Sequence, residues 1–308
     1  MSADTLIPIV VSSVGAATPL IYAATGELVV ERSGVLNLGV EGMMLAGAIG
    51  AFAATVTTGS LALGLLAGMA CGMALALLFG VLTLSLQTNQ VATGLALTLF
   101  GVGLSAFAGR DYVGKVVEGM GGISIPVLSD IPVLGPLLFR FDLLVYGSIA
   151  LAGATHWFLN RTRAGLIVRA AGESPSTAHA IGFKVISIRY LCVLFGGAMS
   201  GLAGAYLSCA LTPMWIEGMT AGRGWIALAL VVFATWKPWR VLLGAYLFGG
   251  VTVLQFHAQG FGLSIPSEFL SMLPYLATIV VLVIICRDPK IILLNQPVSL
   301  GKRFHPDA

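Results

Sequence analysis

Apolar residues run along this chain in long unbroken stretches. Nine can be drawn, at about 5–25, 35–56, 61–86, 91–109, 142–159, 188–209, 224–236, 240–258 and 268–286. Most approach the roughly 20 residues a helix needs to cross a bilayer. The strands of a membrane barrel would instead show short alternating segments. The pattern therefore predicts an all-α, polytopic membrane helical bundle of about eight to ten spans, with residues 1–308 forming one transmembrane domain. Two stretches are not ordinary spans. The one at 224–236 is short, and the one at 35–56 carries Asn37 and Glu41 one turn apart on one helical face. Both are expected to be partial or broken helices.

An internal order repeats. A span, a charged Gly-bearing loop and a polar-tinged apolar segment occupy 5–56, and the same order recurs at 188–236. Gly34-Val35-Leu36-Asn37-Leu38-Gly39 can be laid on Gly224-Trp225-Ile226-Ala227-Leu228-Ala229. With the first loop inside and the second outside, the copies are inverted. In transporters, inverted repeats with short or interrupted central helices place the pathway at the repeat interface.

Composition narrows the class. Only 9% of the 308 residues are charged and 57% are hydrophobic, against about 25% charged in soluble domains. A mean hydropathy of +0.97 agrees. A water-facing globule is excluded. Glycine, 39 residues in all, is costly in soluble helices but lets membrane helices approach closely. Small-xxx-small spacings occur at Gly64 and Gly68, Gly197 and Gly201, and Gly201 and Ala205. The cysteines Cys71, Cys192, Cys209 and Cys286 have no CxxC or metal spacing and read as small packing residues. The first apolar run lacks a basic flank and is expected to be a span, not a cleaved signal.

Basic residues set the orientation. Residues 160–190 hold Arg161, Arg163, Arg169, Lys184 and Arg189 against the single acid Glu173, so this loop is placed in the cytoplasm. The tail, with Arg287, Lys290, Lys302 and Arg303, joins it. Residues 110–142 show no positive bias and are placed outside. Parity then puts Asn89 and Trp236–Arg240 inside, and Thr58 and the N-terminus outside. The aromatic and basic run at 236–240 fits an inner interfacial anchor.

The loop at about 160–187 is the most informative. Ser174 can cap a helix that starts at Pro175, and Gly182 can end it. A helix of two turns is too short to stand alone and needs a partner surface. The sequence Arg169-Ala170-Ala171-Gly172-Glu173-Ser174-Pro175, with Ala178 and Gly182 following, resembles the coupling region of ATP-binding cassette (ABC) importer permeases of the branched-chain amino acid, simple sugar and nucleoside group. The stretch from Glu31 to Met44 resembles the signature of the smaller permease in nucleoside uptake systems of the basic-membrane-protein type. Gly222 to Ala229, Trp236 to Trp239, Gly249-Gly250 and Leu254-Gln255 agree with it.

The resemblance implies a permease subunit without an ATPase site, in the bacterial cytoplasmic (inner) membrane, forming half of a nucleoside path. Its implied partners are a separate ATP-binding subunit, a second homologous permease, an external substrate-binding protein and the lipid bilayer; no nucleic acid is implied. Gly172, Glu173, Ser174, Pro175, Ala178 and Gly182 would couple to the ATPase. Asn37, Glu41, Asn89, Trp225 and Gln255 are the candidates for the substrate path, because intramembrane polar groups default to function and these suit hydroxyls, amide edges and a stacking face. Glu41 has a structural alternative, a pairing with Arg32 or a backbone end. Trp225 has one as an interfacial anchor, and Gln255 as an interhelical hydrogen bond.

No cofactor or metal is expected to be bound by this chain. His156 and His179 lack a metal spacing. Gly109 to Lys115 mimics a phosphate loop but has Val116 where Ser or Thr must hold magnesium. A simple sugar or other small polar solute remains an alternative cargo. An ion-coupled carrier is an alternative mechanism, disfavoured by the scarcity of intramembrane charge.

Overall fold

The computed structural model describes residues 3–123, 131, 134–260 and 295–305, with isolated positions between 269 and 283. Helices α1 (Ala3–Arg32), α2 (Val40–Thr58), α3 (Leu61–Gly80) and α4 (Gln90–Gly109) come first. A short α5 (Leu134–Leu138) precedes α6 (Leu143–Arg161), α7 (Arg163–Glu173) and α8 (Pro175–Ala180). Then follow α9 (Val185–Tyr206), α10 (Arg223–Phe233) and α11 (Pro238–Gly260). A π turn prolongs α3 to Ser85 and another prolongs α9 to Leu211. Among the described residues the only β pairing is a bridge between Val116 and Met214.

Among the described residues, five helical stretches are long and apolar enough to span a membrane: Ile7–Arg32, Val40–Thr58, Leu61–Ser85, Gln90–Tyr112 and Val185–Leu211. The first eight apolar runs of the sequence all form helices here, but the run at 35–56, expected to be partial or broken, makes the uninterrupted 19-residue α2 after a turn. The ninth, at 268–286, lies largely outside the described residues, as do Cys286, Arg287 and Lys290.

Glycines make the closest crossings. Gly68 and Gly72 on α3 face Gly197 and Gly201 on α9. A Cβ on Gly201 would collide with the Gly68 carbonyl, and one on Gly47 of α2 with the Gly201 backbone. Three backbones thus meet where no side chain fits. Gly68 and Gly72 form one contact with Gly197 and Gly201, whereas Gly64 packs on Ala51 and Thr55 of α2.

The packing has the reciprocity of a repeat. Helix α1 packs on α9, and it packs on α10 and α11 as α9 packs on α2 and α3. The register differs from the one laid out in the sequence. Gly34–Gly39 lies almost wholly in the turn before α2, whereas Gly224–Ala229 is inside α10. The helix starts that correspond are Val40 and Arg223. Backbone geometry defines the repeat, and side-chain identity does not follow it.

The segments expected on one side gather at one end of the bundle. Arg32 bonds the Trp236 carbonyl, Gln87 bonds that of Phe304, and Gly301 bonds that of Gly34. These groups share one end with the basic 160–190 loop, the end that the charge pattern assigns to the cytoplasm. Val116 and Met214 meet at the other.

Candidate functional site

Helix α10 is a half-span. Its 11 residues rise roughly 16 Å, so it starts near the middle of a core of about 30 Å. The chain reaches this start through Gly222, whose φ of 81° needs no side chain. A helix start inside a membrane has orphan N–H groups that water cannot satisfy. Here the Glu41 carboxylate satisfies them. One oxygen accepts from the Thr220 hydroxyl at 2.6 Å and the Gly222 N–H at 2.9 Å, and the other from the Gly224 N–H at 2.5 Å. Gly224 must be glycine, because a Cβ there would lie 2.6 Å from the Glu41 backbone. Glu41 is thus a borrowed cap, and its partner is a backbone end rather than Arg32.

The opposite end of α10 is held by α1. The Trp236 indole donates to Glu31 at 2.5 Å. Arg32 donates to the Trp236 carbonyl at 2.9 Å and to the Asn295 carbonyl at 3.0 Å. Trp236 is therefore buried, and of the expected interfacial anchor it is Trp239 that stands exposed, with Arg240 over its ring at 5.2 Å. One turn earlier, Glu27 accepts the Asn37 N–H at 3.1 Å, and Asn37 Oδ1 accepts the Gly39 N–H at 2.9 Å. Glu27 and Glu31 were not singled out from the sequence. The signal was there: two acids four residues apart on a helix that continues an apolar run.

The cytoplasmic arm follows the chemistry of its sequence. Ser174 Oγ accepts the Thr177 N–H at 3.4 Å, Pro175 opens α8, and Gly182 closes the turn at φ 95°. Ala178 is buried with Ala171, Val185 and Phe304. Glu173, Ser176, Thr177, His179 and Ile181 face outward. Gly172 is buried against Arg32, where a Cβ would collide with the carbonyl. The C-terminal segment ties this arm down: Ser299 Oγ donates to the Gly172 carbonyl at 2.6 Å. Arg189, 1% exposed, donates to the Ser33 carbonyl and to Ser299 Oγ, both at 3.1 Å. A cation so buried inside a helix run was read from the sequence only as loop charge.

The five path candidates separate. Asn37 is buried in the turn before α2 and Glu41 in its first turn. Trp225, in the first turn of α10, is 36% exposed at mid-depth. Gln255 is buried on α11. Asn89 lies apart at the cytoplasmic end, where its side chain caps α4 by accepting the Ala92 N–H at 3.0 Å. Gly109–Val116 follows a helix at the outer end, with Lys115 over the Tyr112 ring. Cys71, Cys192 and Cys209 are free thiols, and no metal-binding cluster occurs among the described residues.

A bundle of apolar helices, one of them a half-span clamped by carboxylates, is the architecture of a multi-pass transport protein of the cytoplasmic membrane. Residues 9–285 match the family described as branched-chain amino acid transport system / permease component, and the chain belongs to that family. It is 43% identical to TsgC13 of Haloferax volcanii, a permease ascribed to a glucose ABC transporter, covering 88% of this chain and 89% of the relative. It is 34% identical to the nucleoside ABC transporter permease NupC of Lactococcus lactis, covering 91% and 92%. It is also 34% identical to the guanosine ABC transporter permease NupQ of Bacillus subtilis, covering 86% and 88%. A solved metal-chelate type ABC transporter in an inward-facing conformation shares the fold, with a TM-score of 0.53 at 14% identity, covering 90% of this chain and 85% of that one.

Proposed function

We propose that this chain is one of two homologous permeases in an ABC importer and builds half of the translocation path for nucleosides. The observation that carries the cargo is Trp225. It stands at the mid-membrane start of α10, exposed on the surface of this chain, at a depth where an interfacial anchor has no role. An indole there offers a stacking face to a nucleobase. Glu41 fixes the backbone that presents it, with Asn37 behind. Gln255 and Asn89 complete the proposed path, Gln255 within the bundle and Asn89 at its cytoplasmic mouth. A relative that serves nucleosides and one that serves guanosine support this reading.

In this reading a separate ATP-binding subunit docks on α8, with Glu173, Ser174, Pro175 and Gly182 forming the contact, the buried Ala178 seating α8 on the chain's own cluster and Gly172 anchoring it to Arg32. An external binding protein delivers the solute. A second reading, a simple sugar as cargo, is favoured by the 43% identity to TsgC13. Both cargoes present a hydroxylated sugar ring, and they differ in the base.

Reconstitution with the ATP-binding subunit, second permease and binding protein tests the reading. Labelled guanosine, uridine and glucose are offered separately. ATP-dependent nucleoside uptake is expected, and Trp225→Ala should weaken it about 5- to 150-fold, the size of one lost base–aromatic stack. Glucose uptake alone, indifferent to Trp225→Ala, would replace nucleosides with sugars. Uptake that persists without the ATP-binding subunit would overturn the importer mechanism.

A further inference from the structure

A groove of about 590 Å³ opens between α6 and α9, backed by Val29 of α1 and crossed at its cytoplasmic end by α7. Its walls are apolar, with Leu151 and Phe158 on one side and Ile188 and Phe195 on the other. Its depth is informative. On α6 the lining runs from Leu151 to Phe158, and the helix ends at Arg161. On α9 it runs from Ile188 to Phe195, and the helix begins at Val185. At a rise of 1.5 Å per residue, both walls reach from roughly 4 to 15 Å below the cytoplasmic helix ends. That is one leaflet of a core about 30 Å thick.

The mouth carries positive charge. Lys184 lines it, and among the described residues no acid lies within ion-pairing distance of this amine. Arg161 and Arg163 are exposed nearby, at the junction of α6 and α7. Glu173, the lone acid of the 160–190 loop, lines a different cavity with Arg32 and Arg169. A slot one leaflet deep, apolar within and cationic at the headgroup level, matches one class of molecule. The geometry points to a binding site for an anionic glycerophospholipid of the cytoplasmic leaflet, with an acyl chain between α6 and α9 and its phosphate at Lys184.

The lipid also has a mechanical place. Helix α7 roofs the groove through Ala164, Ile167 and Val168 and runs directly into Glu173 and α8. An acyl chain beneath α7 props the arm proposed to receive the ATPase; this consequence rests on that proposal, whereas the lipid site does not.

The test uses the full transporter in nanodiscs of phosphatidylcholine with a minor fraction of phosphatidylglycerol, and counts retained lipid by native mass spectrometry. One phosphatidylglycerol per chain should survive delipidation. Ala154→Trp, which fills the groove from its exposed side, should abolish retention. Lys184→Glu should weaken it about tenfold, as loss of a basic contact to an anionic membrane lipid implies. Leu99→Trp, on an exposed face of α4, should leave it unchanged and controls for the added bulk. Equal retention in wild type and both groove variants would overturn the site, as would equal retention of phosphatidylcholine. Disulfide capture of Ala154→Cys by the second permease would also overturn it, by making the groove a subunit interface. If retention follows the expected pattern but ATPase activity ignores it, the lipid site stands and the propping role falls.

Discussion

Helices α2 and α10 begin close together inside the bundle and are started by different means. The start of α2 is local. Asn37 accepts the Gly39 N–H in the turn just ahead of the helix, and Glu27, ten residues earlier, holds the Asn37 N–H. The start of α10 is borrowed. None of its own first-turn side chains caps it, and Glu41, some 180 residues away, accepts its orphan donors. Two helix starts posed the same electrostatic problem. One was solved by neighbours in sequence, the other by a neighbour in space. The borrowed solution couples the two halves: α10 cannot move at its inner start without α2, nor at its cytoplasmic end without α1.

That contrast sets an order of effects. Glu41→Ala should cost most, about 3–5 kcal/mol, because it leaves several buried donors without an acceptor. Thermal unfolding of the purified permease would show it, with uptake lost as well. The milder Glu41→Gln keeps one acceptor and should fall between Ala and wild type. Next comes Trp236→Phe, which keeps the ring but removes the donor to Glu31, at about 2 kcal/mol by the same assay. Asn37→Ala, removing only the turn hydrogen bond ahead of α2, should cost about 1 kcal/mol. If Asn37→Ala proved costlier than Glu41→Ala, the distinction between local and borrowed starts would fail.

The smallest stability effect belongs to the cytoplasmic arm. Glu173 is exposed and makes one long contact, accepting the Val298 N–H at 3.5 Å. Glu173→Ala should therefore change stability by less than about 0.5 kcal/mol. Uptake and co-purification of the ATP-binding subunit should nevertheless fall. Normal uptake in this variant would remove Glu173 from the coupling contact and leave the α10 clamp untouched.

Much of this was readable in the chain. Length and apolarity announced the helices, because a segment in lipid must satisfy its backbone internally and the helix does so alone. Ser174-Pro175 and Gly182 announced α8 because caps act within a few residues. Glu41 and the short α10 each drew notice, but separately.

What the sequence determined, then, was the set of elements and their local caps, all governed by contacts a few residues apart. Tertiary structure alone decided the pairings. It placed Gly68 and Gly72 against Gly197 and Gly201, shifted the register of the repeat, made Glu41 the cap of α10, and set Ser299 on Gly172. The physical reason is that orphan donors and close backbone crossings specify a need without naming the residue that meets it. Only the packed bundle brings the distant partner within reach.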